Sequence, residues 1–184
     1  MLSTKTETTA LDVAIQKMQT YLHDRLLIAW ELEETPEKYK GYGRCYRNRT
    51  KDGYIAEWYL GSGEYKEVYW DDQFSAVSFF GVGSRILYEQ KQVADVHLVF
   101  FVNLSELKAD IAHRADEEVR KDVLELVGRG MYGLNYKSMD LWVENCLREY
   151  PGSVKKLINE VQFDMHPVHC FRLNFESFYN ISDC

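Results

Sequence analysis

The stretch Val93-Ala94-Asp95-Val96-His97-Leu98-Val99-Phe100-Phe101-Val102-Asn103 decides how the rest of the chain can be arranged. In an extended chain, alternate side chains point to opposite sides. One side is then wholly apolar, and it consists of Ala94, Val96, Leu98, Phe100 and Val102. The other side is polar at both ends and apolar in the middle. Because β-branched and aromatic residues are also enriched in strands, the stretch predicts a central strand with one face on the main core and the other face partly covered.

Two other periodic segments fit around this strand. Residues 168–178 alternate in the same way and predict a second strand near the end of the chain. Before both strands, apolar residues recur at three- and four-residue steps, which is typical of an amphipathic helix at about residues 10–30. We therefore expect an α+β fold: an antiparallel or mixed sheet that contains residues 93–103 and 168–178, packed by this N-terminal helix.

Two further helices are expected before the last strand. Three acidic residues open the first, at about residues 115–127, where they suit the positive end of the helix dipole. Ser138 is a candidate cap for the second helix. The inward side of that helix would consist of Leu141, Trp142, Cys146, Leu147 and Tyr150, and Pro151-Gly152 would end it. Residues 85–92 and 157–163 are interpreted as links.

Length and composition limit the class of protein. With 184 residues, the chain favours a single α+β domain over residues 1–184, with a mobile tail at residues 1–8. The apolar content of 46% is too high for a disordered chain. A net charge of −7 argues against a general grip on nucleic acid, which requires a basic face. No apolar run is long enough to span a membrane, so no membrane partner is expected.

The N-terminus and the cysteines indicate a cellular compartment. Residues 1–10 are polar and hold no apolar signal core, so the sequence does not support secretion. The four cysteines lie far apart, and no pair has CxxC spacing. This pattern favours free thiols in a reducing cytosol.

Residues 39–70 are rich in tyrosine and arginine and are divided by glycines. Lys51-Asp52-Gly53 is a tight-turn signal, because such a turn needs a positive φ that glycine supplies. The segment therefore predicts a β-hairpin or meander extension. Tyrosine, tryptophan and arginine dominate the hot spots of protein interfaces, and the alternative is that half of these side chains face the core. The candidate subunit-interface residues are Tyr42, Arg44, Tyr46, Arg47, Tyr54, Trp58 and Tyr65.

We find little support for catalysis or metal binding in the sequence. His97, His166 and His169 could be combined into a metal site, but their spacing matches no helical HExxH motif. A nucleophilic Cys45 or Cys170 would need a positive and partly exposed pocket. No GxGxxG or phosphate loop occurs. We therefore predict no catalytic, cofactor-binding or metal residue, and we interpret the adjacent acids Asp71 and Asp72 as a turn between strands.

The order of elements resembles that of tail terminator and head–tail joining (neck) proteins of tailed bacteriophages. The residues that carry the resemblance are the hairpin at residues 43–49, Ser78-Phe79-Phe80, residues 96–102 and the ending at residues 165–175. The resemblance implies a small non-enzymatic α+β subunit of the virion, made in the host cytoplasm, that forms a ring around a channel, ends tail-tube growth and joins the tail to the head. Its partners would be further copies of itself and other head–tail proteins.

A ring of this kind would let DNA pass without specific binding, and an acidic subunit suits such a conduit. Head-to-tail contacts close into a ring when the rotation between subunits fits. We therefore expect a cyclic homo-oligomer with the residues 39–70 extension at the subunit contact. Two alternatives remain at this point: a small intracellular metal-dependent enzyme, and a monomeric protein-binding module.

Overall fold

A computed structural model of the protein describes residues 1–32, 37–88, 91–128, 131–160 and 165–180. Within these residues, eight strands form one mixed sheet in the order β4-β3-β2-β5-β6-β8-β7, and β1 pairs with β2. The strands are β1 (Leu2–Ser3), β2 (Tyr39–Thr50), β3 (Gly53–Gly61), β4 (Glu64–Glu67), β5 (Ala76–Tyr88), β6 (Lys91–Asn103), β7 (Leu134–Leu141) and β8 (Val168–Asn180). The helices are α1 (Leu11–Ala29), α2 (Leu104–Leu107), α3 (Asp116–Val127), α4 (Val143–Cys146) and α5 (Pro151–Glu160).

Strand β6 lies near the middle of this sheet, antiparallel to β5 on one side and to β8 on the other. The Phe100 ring stacks on the Phe171 ring of β8, with 4.9 Å between the centroids. Two-sided pairing satisfies the backbone of β6, and both of its faces are buried from Val96 to Val102. The prediction of a mixed or antiparallel sheet containing residues 93–103 and 168–178 is confirmed.

Helices α1 and α3 cover one face of the sheet, which we call the first face. The apolar stripe of α1 is buried against Val96, Leu98 and Phe100 of β6. The Trp30 indole donates to Asp122 Oδ2 over 3.0 Å and so ties the end of α1 to α3. The predictions of an N-terminal helix on the sheet and of a helix at about residues 115–127 are both confirmed.

The second face is covered by α4, α5 and the meander β2–β4, which curls over the sheet. Its core combines Val99 and Phe101 of β6 with Trp58 of β3 and Leu157 of α5. The meander is held there by α5, because the Ser153 hydroxyl accepts from the Ala56 N–H over 3.4 Å.

The prediction of a helix capped by Ser138 is wrong. Residues 134–141 form β7, which pairs antiparallel with β8 and places Met139 opposite Leu173. The apolar spacing that suggested a helix comes from the end of a strand, the short helix α4 and a turn. Of the expected inward residues, Trp142 is 60% exposed, whereas Tyr150 is buried. The hydrogen bonds offered by the edge of β8 outweigh the local helical preference.

Four further assignments differ from expectation. Residues 157–160 of the expected link at 157–163 belong to α5, and residues 161–163 lie outside the described residues. Helix α5 begins at Pro151, where we expected a helix to end. Proline suits the first position of a helix, because the N–H group that it lacks would have no hydrogen-bond partner within the helix there. Residues 85–88 and 91–92 extend the β5–β6 pairing instead of forming a link, with Leu87 opposite Gln92. The prediction of a tail at residues 1–8 missed β1, because two residues are too few for a periodic pattern.

Candidate interaction surface

The structure divides the predicted interface residues between the core and the surface. Tyr42 and Trp58 are 8% and 5% exposed, and both belong to the core of the second face. Their ring centroids lie 6.3 Å apart. Burial raises the pKa of the Tyr42 hydroxyl to about 12. These two side chains therefore stabilise their own chain, as the core-facing alternative expects.

Tyr46, Tyr59 and Tyr65 form a tyrosine cluster on the outer side of the meander. The Tyr65 ring lies 6.3 Å from Tyr46 and 5.0 Å from Tyr59, measured between centroids. Tyr65 is 51% exposed. Sequence reasoning did not select Tyr59, because only the pairing of β3 with β4 places it opposite Tyr65.

The N-terminal segment fixes the base of this cluster. Lys5 Nζ donates to Asp12 Oδ2 over 2.6 Å and to the Tyr46 hydroxyl over 2.8 Å. Burial acts to lower the pKa of the Lys5 ammonium, but the hydrogen bonds to Asp12 and Tyr46 outweigh it and leave that pKa above its ordinary value. Arg44 donates to Asp12 Oδ1 over 3.3 Å, and its guanidinium lies 4.8 Å from the centroid of the Tyr46 ring. Such prior ordering lowers the entropy cost of binding a partner.

Residues 44–51, which we call the basic segment, lead to the turn between β2 and β3. They contain four arginine or lysine residues and no acidic residue, in a chain of net charge −7. Arg47 is exposed, and its guanidinium lies 4.2 Å from the centroid of the Tyr54 ring. Cation–π pairs of this kind present an apolar surface and a positive charge together.

A buried polar network joins β8 to α4, β7 and the turn after α4 on the second face, and sequence analysis did not find it. Arg172 of β8 is 4% exposed and points to the second face. Its guanidinium donates to both carboxylate oxygens of Glu149, over 3.0 Å for Nη2 to Oε1, and its Nε donates to Asn174 Oδ1 over 2.7 Å. Burial acts to raise the pKa of Glu149, but the hydrogen bonds from Arg172 leave it below its ordinary value. The network is therefore an internally paired structural element.

His97 lies close to this network on the same face, within reach of the charges of Arg172 and Glu149. Its Nε2 lies 3.2 Å from the Tyr150 hydroxyl, and both side chains are 1% exposed. Burial, helped by the positive charge of Arg172, lowers the pKa of His97 to about 3. Burial also raises the pKa of Tyr150. Both groups are consequently neutral near pH 7, and Gly81 packs directly against them.

The three histidines considered for a metal site do not come together. His97 points to the second face, whereas His169 stacks on Phe171 and lies within 3.3 Å of Arg120 on the first face. His166 is exposed before β8. Among the described residues, no three His, Cys, Asp or Glu side chains are grouped closely enough to hold a metal ion.

The cysteines of the described residues are buried. Cys45 and Cys146 are free thiols, Cys170 is fully buried in β8, and Cys184 lies outside the described residues. Burial raises the pKa of the Cys45 thiol well above its ordinary value, which suppresses the nucleophilic thiolate. The backbone carbonyl oxygen of Asp71 accepts from the Phe74 N–H over 3.0 Å, in the turn that the sequence predicted for the adjacent acids Asp71 and Asp72.

Comparisons with known proteins add no family assignment. No protein-family model matches the sequence, and none of the curated proteins matches it. Among the helices of the described ranges, none combines the length and apolar character that crossing a lipid bilayer requires.

Proposed function

We propose that this protein is a non-enzymatic assembly subunit of a tailed-phage particle, forming a ring at the head–tail junction or at the end of the tail tube. The tyrosine cluster carries the proposal, since it is a partly exposed aromatic surface whose base is ordered by Lys5, Asp12 and Arg44. Exposed aromatic and arginine side chains are the usual anchors of protein interfaces. The order of elements and the acidic net charge suit a subunit around a channel that DNA traverses.

Five of the seven interface candidates are at least partly exposed and support the proposal. They are Arg44, Tyr46, Arg47, Tyr54 and Tyr65. Tyr42 and Trp58 are excluded from the contact by their burial. The proposed subunit contact is therefore narrower than the sequence suggested, and it combines the tyrosine cluster with the exposed Arg47–Tyr54 pair.

Self-association tests the proposal. Sedimentation velocity over a concentration series should show a defined oligomer, which Tyr46→Ala/Tyr65→Ala dissociates. Tyr132→Ala is the matched control, since Tyr132 is 40% exposed but lies outside the meander. An oligomer that the double variant leaves intact would contradict the role of the cluster. A protein that stays monomeric at every concentration and in the particle would favour the protein-binding module instead.

The phage role has its own test. In a phage that carries this gene, deletion is expected to yield filled heads and separate tails, visible by negative-stain electron microscopy. Joined particles of normal tail length in the deletion strain would rule out the proposed role.

A further inference from the structure

A pocket of about 390 Å³ lies between the N-terminal half of α1 and the end of β8, and the turn before β7 borders it. Its apolar lining includes Val13, Ala14, Tyr132 and Tyr179. The Tyr132 ring is packed against Tyr21 of α1, with 6.0 Å between the two centroids. Pockets of roughly 300–1,000 Å³ with apolar walls and a few polar groups are typical of small-molecule sites.

The charged groups of this pocket are positive. Lys17 of α1 and Lys91 of β6 line it, and both side chains are exposed. Neither lysine forms an ion pair with any residue that the structure describes. Among the described residues of the lining, none is acidic. In a chain of net charge −7, two such ammonium groups at one pocket favour an anionic ligand.

The hydroxyl of Ser177 is an independent indication of a ligand. Ser177 lines the pocket, although the residue is only 1% exposed. Its neighbours across the sheet, Ala94 and Leu134, are apolar and buried. Within the described ranges, no hydrogen bond joins this hydroxyl to another residue. Because buried polar groups normally have a partner, the hydroxyl is suited to a bound molecule.

Two residues of the lining have backbone conformations that side chains disfavour. Ala10 has a φ of 48° and Tyr132 has a φ of 53°, although neither is a glycine. Residues of this kind carry an energetic cost, and they cluster at ligand sites. Strained backbone therefore borders the pocket both at the start of α1 and in the turn before β7.

We infer that this pocket binds a small carboxylate with an apolar body, and that Lys17, Lys91 and the Ser177 hydroxyl hold its head group. A phosphate presents three acceptor oxygens, which proteins usually meet with arginine forks or a row of backbone N–H groups. No arginine occurs among the described residues of the lining, and two ammonium groups with one hydroxyl suit the smaller head group. The inference does not depend on the proposed assembly, because the lining shares no residue with the tyrosine cluster or the Arg47–Tyr54 pair.

Titration of ¹⁵N-labelled protein with octanoate, followed by NMR, tests the site. The uncharged analogue of the same chain length is 1-octanol. Octanoate should give saturable amide shifts at Ala14, Gly133 and Ser177. Octanol should bind at least about tenfold more weakly, because it lacks the charge that the two lysines meet. Equal affinities for the two compounds, saturable shifts centred outside the pocket, or no saturable binding would overturn the inference.

Substitutions test the head-group contacts. Lys17→Met keeps an apolar stem but removes the charge, so it should raise the Kd of octanoate at least about threefold and leave that of octanol unchanged. Lys121→Met is the matched control, since the Lys121 side chain is 73% exposed on α3 and does not line the pocket. An octanoate affinity that neither Lys17→Met nor Lys91→Met lowers would show that the assigned cations are wrong.

Ser177→Ala separates ligand binding from a structural role. The variant should weaken octanoate binding without lowering the free energy of unfolding, because the hydroxyl has no hydrogen bond to lose within the described residues. Urea unfolding without ligand measures the second quantity. A destabilised variant that binds octanoate as tightly as the unaltered protein would overturn the role of Ser177.

Discussion

Gly81→Ala tests how tightly the second face is packed around the buried histidine. Gly81 lies on β5, opposite His97 of β6. A Cβ at this position would lie 2.1 Å from His97 Nε2 and 2.3 Å from the Tyr150 hydroxyl oxygen. Both neighbours are 1% exposed, so neither can move into solvent without disturbing the core.

The expected cost follows from two contributions. Forcing a methyl group into a packed core costs about 1–3 kcal/mol. Displacing the rings also breaks the His97–Tyr150 hydrogen bond, which contributes about 1 kcal/mol. Gly81→Ala should therefore lower the free energy of unfolding by about 2–4 kcal/mol. For a chain of this length, that is a fall in Tm of roughly 4–16 °C.

Urea unfolding followed by tryptophan fluorescence, together with a thermal scan, measures this change. Gly83→Ala is the matched control on the same strand, because its Cβ would meet Asp95 Cβ at 3.5 Å, an ordinary contact. Neither glycine has a positive φ, so backbone strain does not separate the two variants. In a Gly81→Ala/His97→Ala double variant the costs should be less than additive. Equal stability of Gly81→Ala and Gly83→Ala would refute the packing argument.

Three further predictions concern the network, the buried histidine and the meander. Arg172→Met removes two charge-assisted hydrogen bonds from the half-buried Glu149 carboxylate, which keeps Arg148 at 3.4 Å, and should cost about 2–3 kcal/mol by urea unfolding, whereas Arg148→Met, at a side chain 50% exposed, should cost less than about 1 kcal/mol. Because the pKa of His97 is about 3 in the folded chain against an ordinary 6.5, the unfolded chain binds the extra proton and stability falls as pH drops below 6.5. The contribution of this group to the slope of the unfolding free energy against pH is at most about 1.4 kcal/mol per pH unit. Urea titrations at pH 5–7 should show a smaller slope in His97→Gln than in the unaltered protein. An unchanged slope would contradict the lowered pKa of His97. Trp58→Ala should destabilise the chain by about 3–5 kcal/mol, and Tyr65→Ala by no more than about 0.5 kcal/mol; similar losses in thermal scans would show that the division between core and surface is wrong.

The candidate surface could be predicted only in part. Composition drew attention to residues 39–70, because tyrosine and arginine are concentrated there. Alternation along a strand separates two faces, but it does not say which face meets the core. The curl of the meander over the second face buries Trp58 and leaves Tyr65 outside. Lys5 joins the cluster from the N-terminus, a contact between residues 41 positions apart that no local pattern reveals.

The sequence by itself determined the elements whose apolar pattern repeats regularly over many residues. β6 could be predicted because its alternation extends over a whole strand, and α1 because its stripe repeats through five turns of helix. Tertiary structure alone decided residues 134–150. Their apolar side chains suit a helix, but the open edge of β8 supplies backbone hydrogen bonds that a strand satisfies, so β7 forms there. Tertiary structure also decided which part of β6 is buried on the second face. Val93, Asp95 and His97 alternate in the same way along the sequence, but only His97 is buried, where it contacts Tyr150.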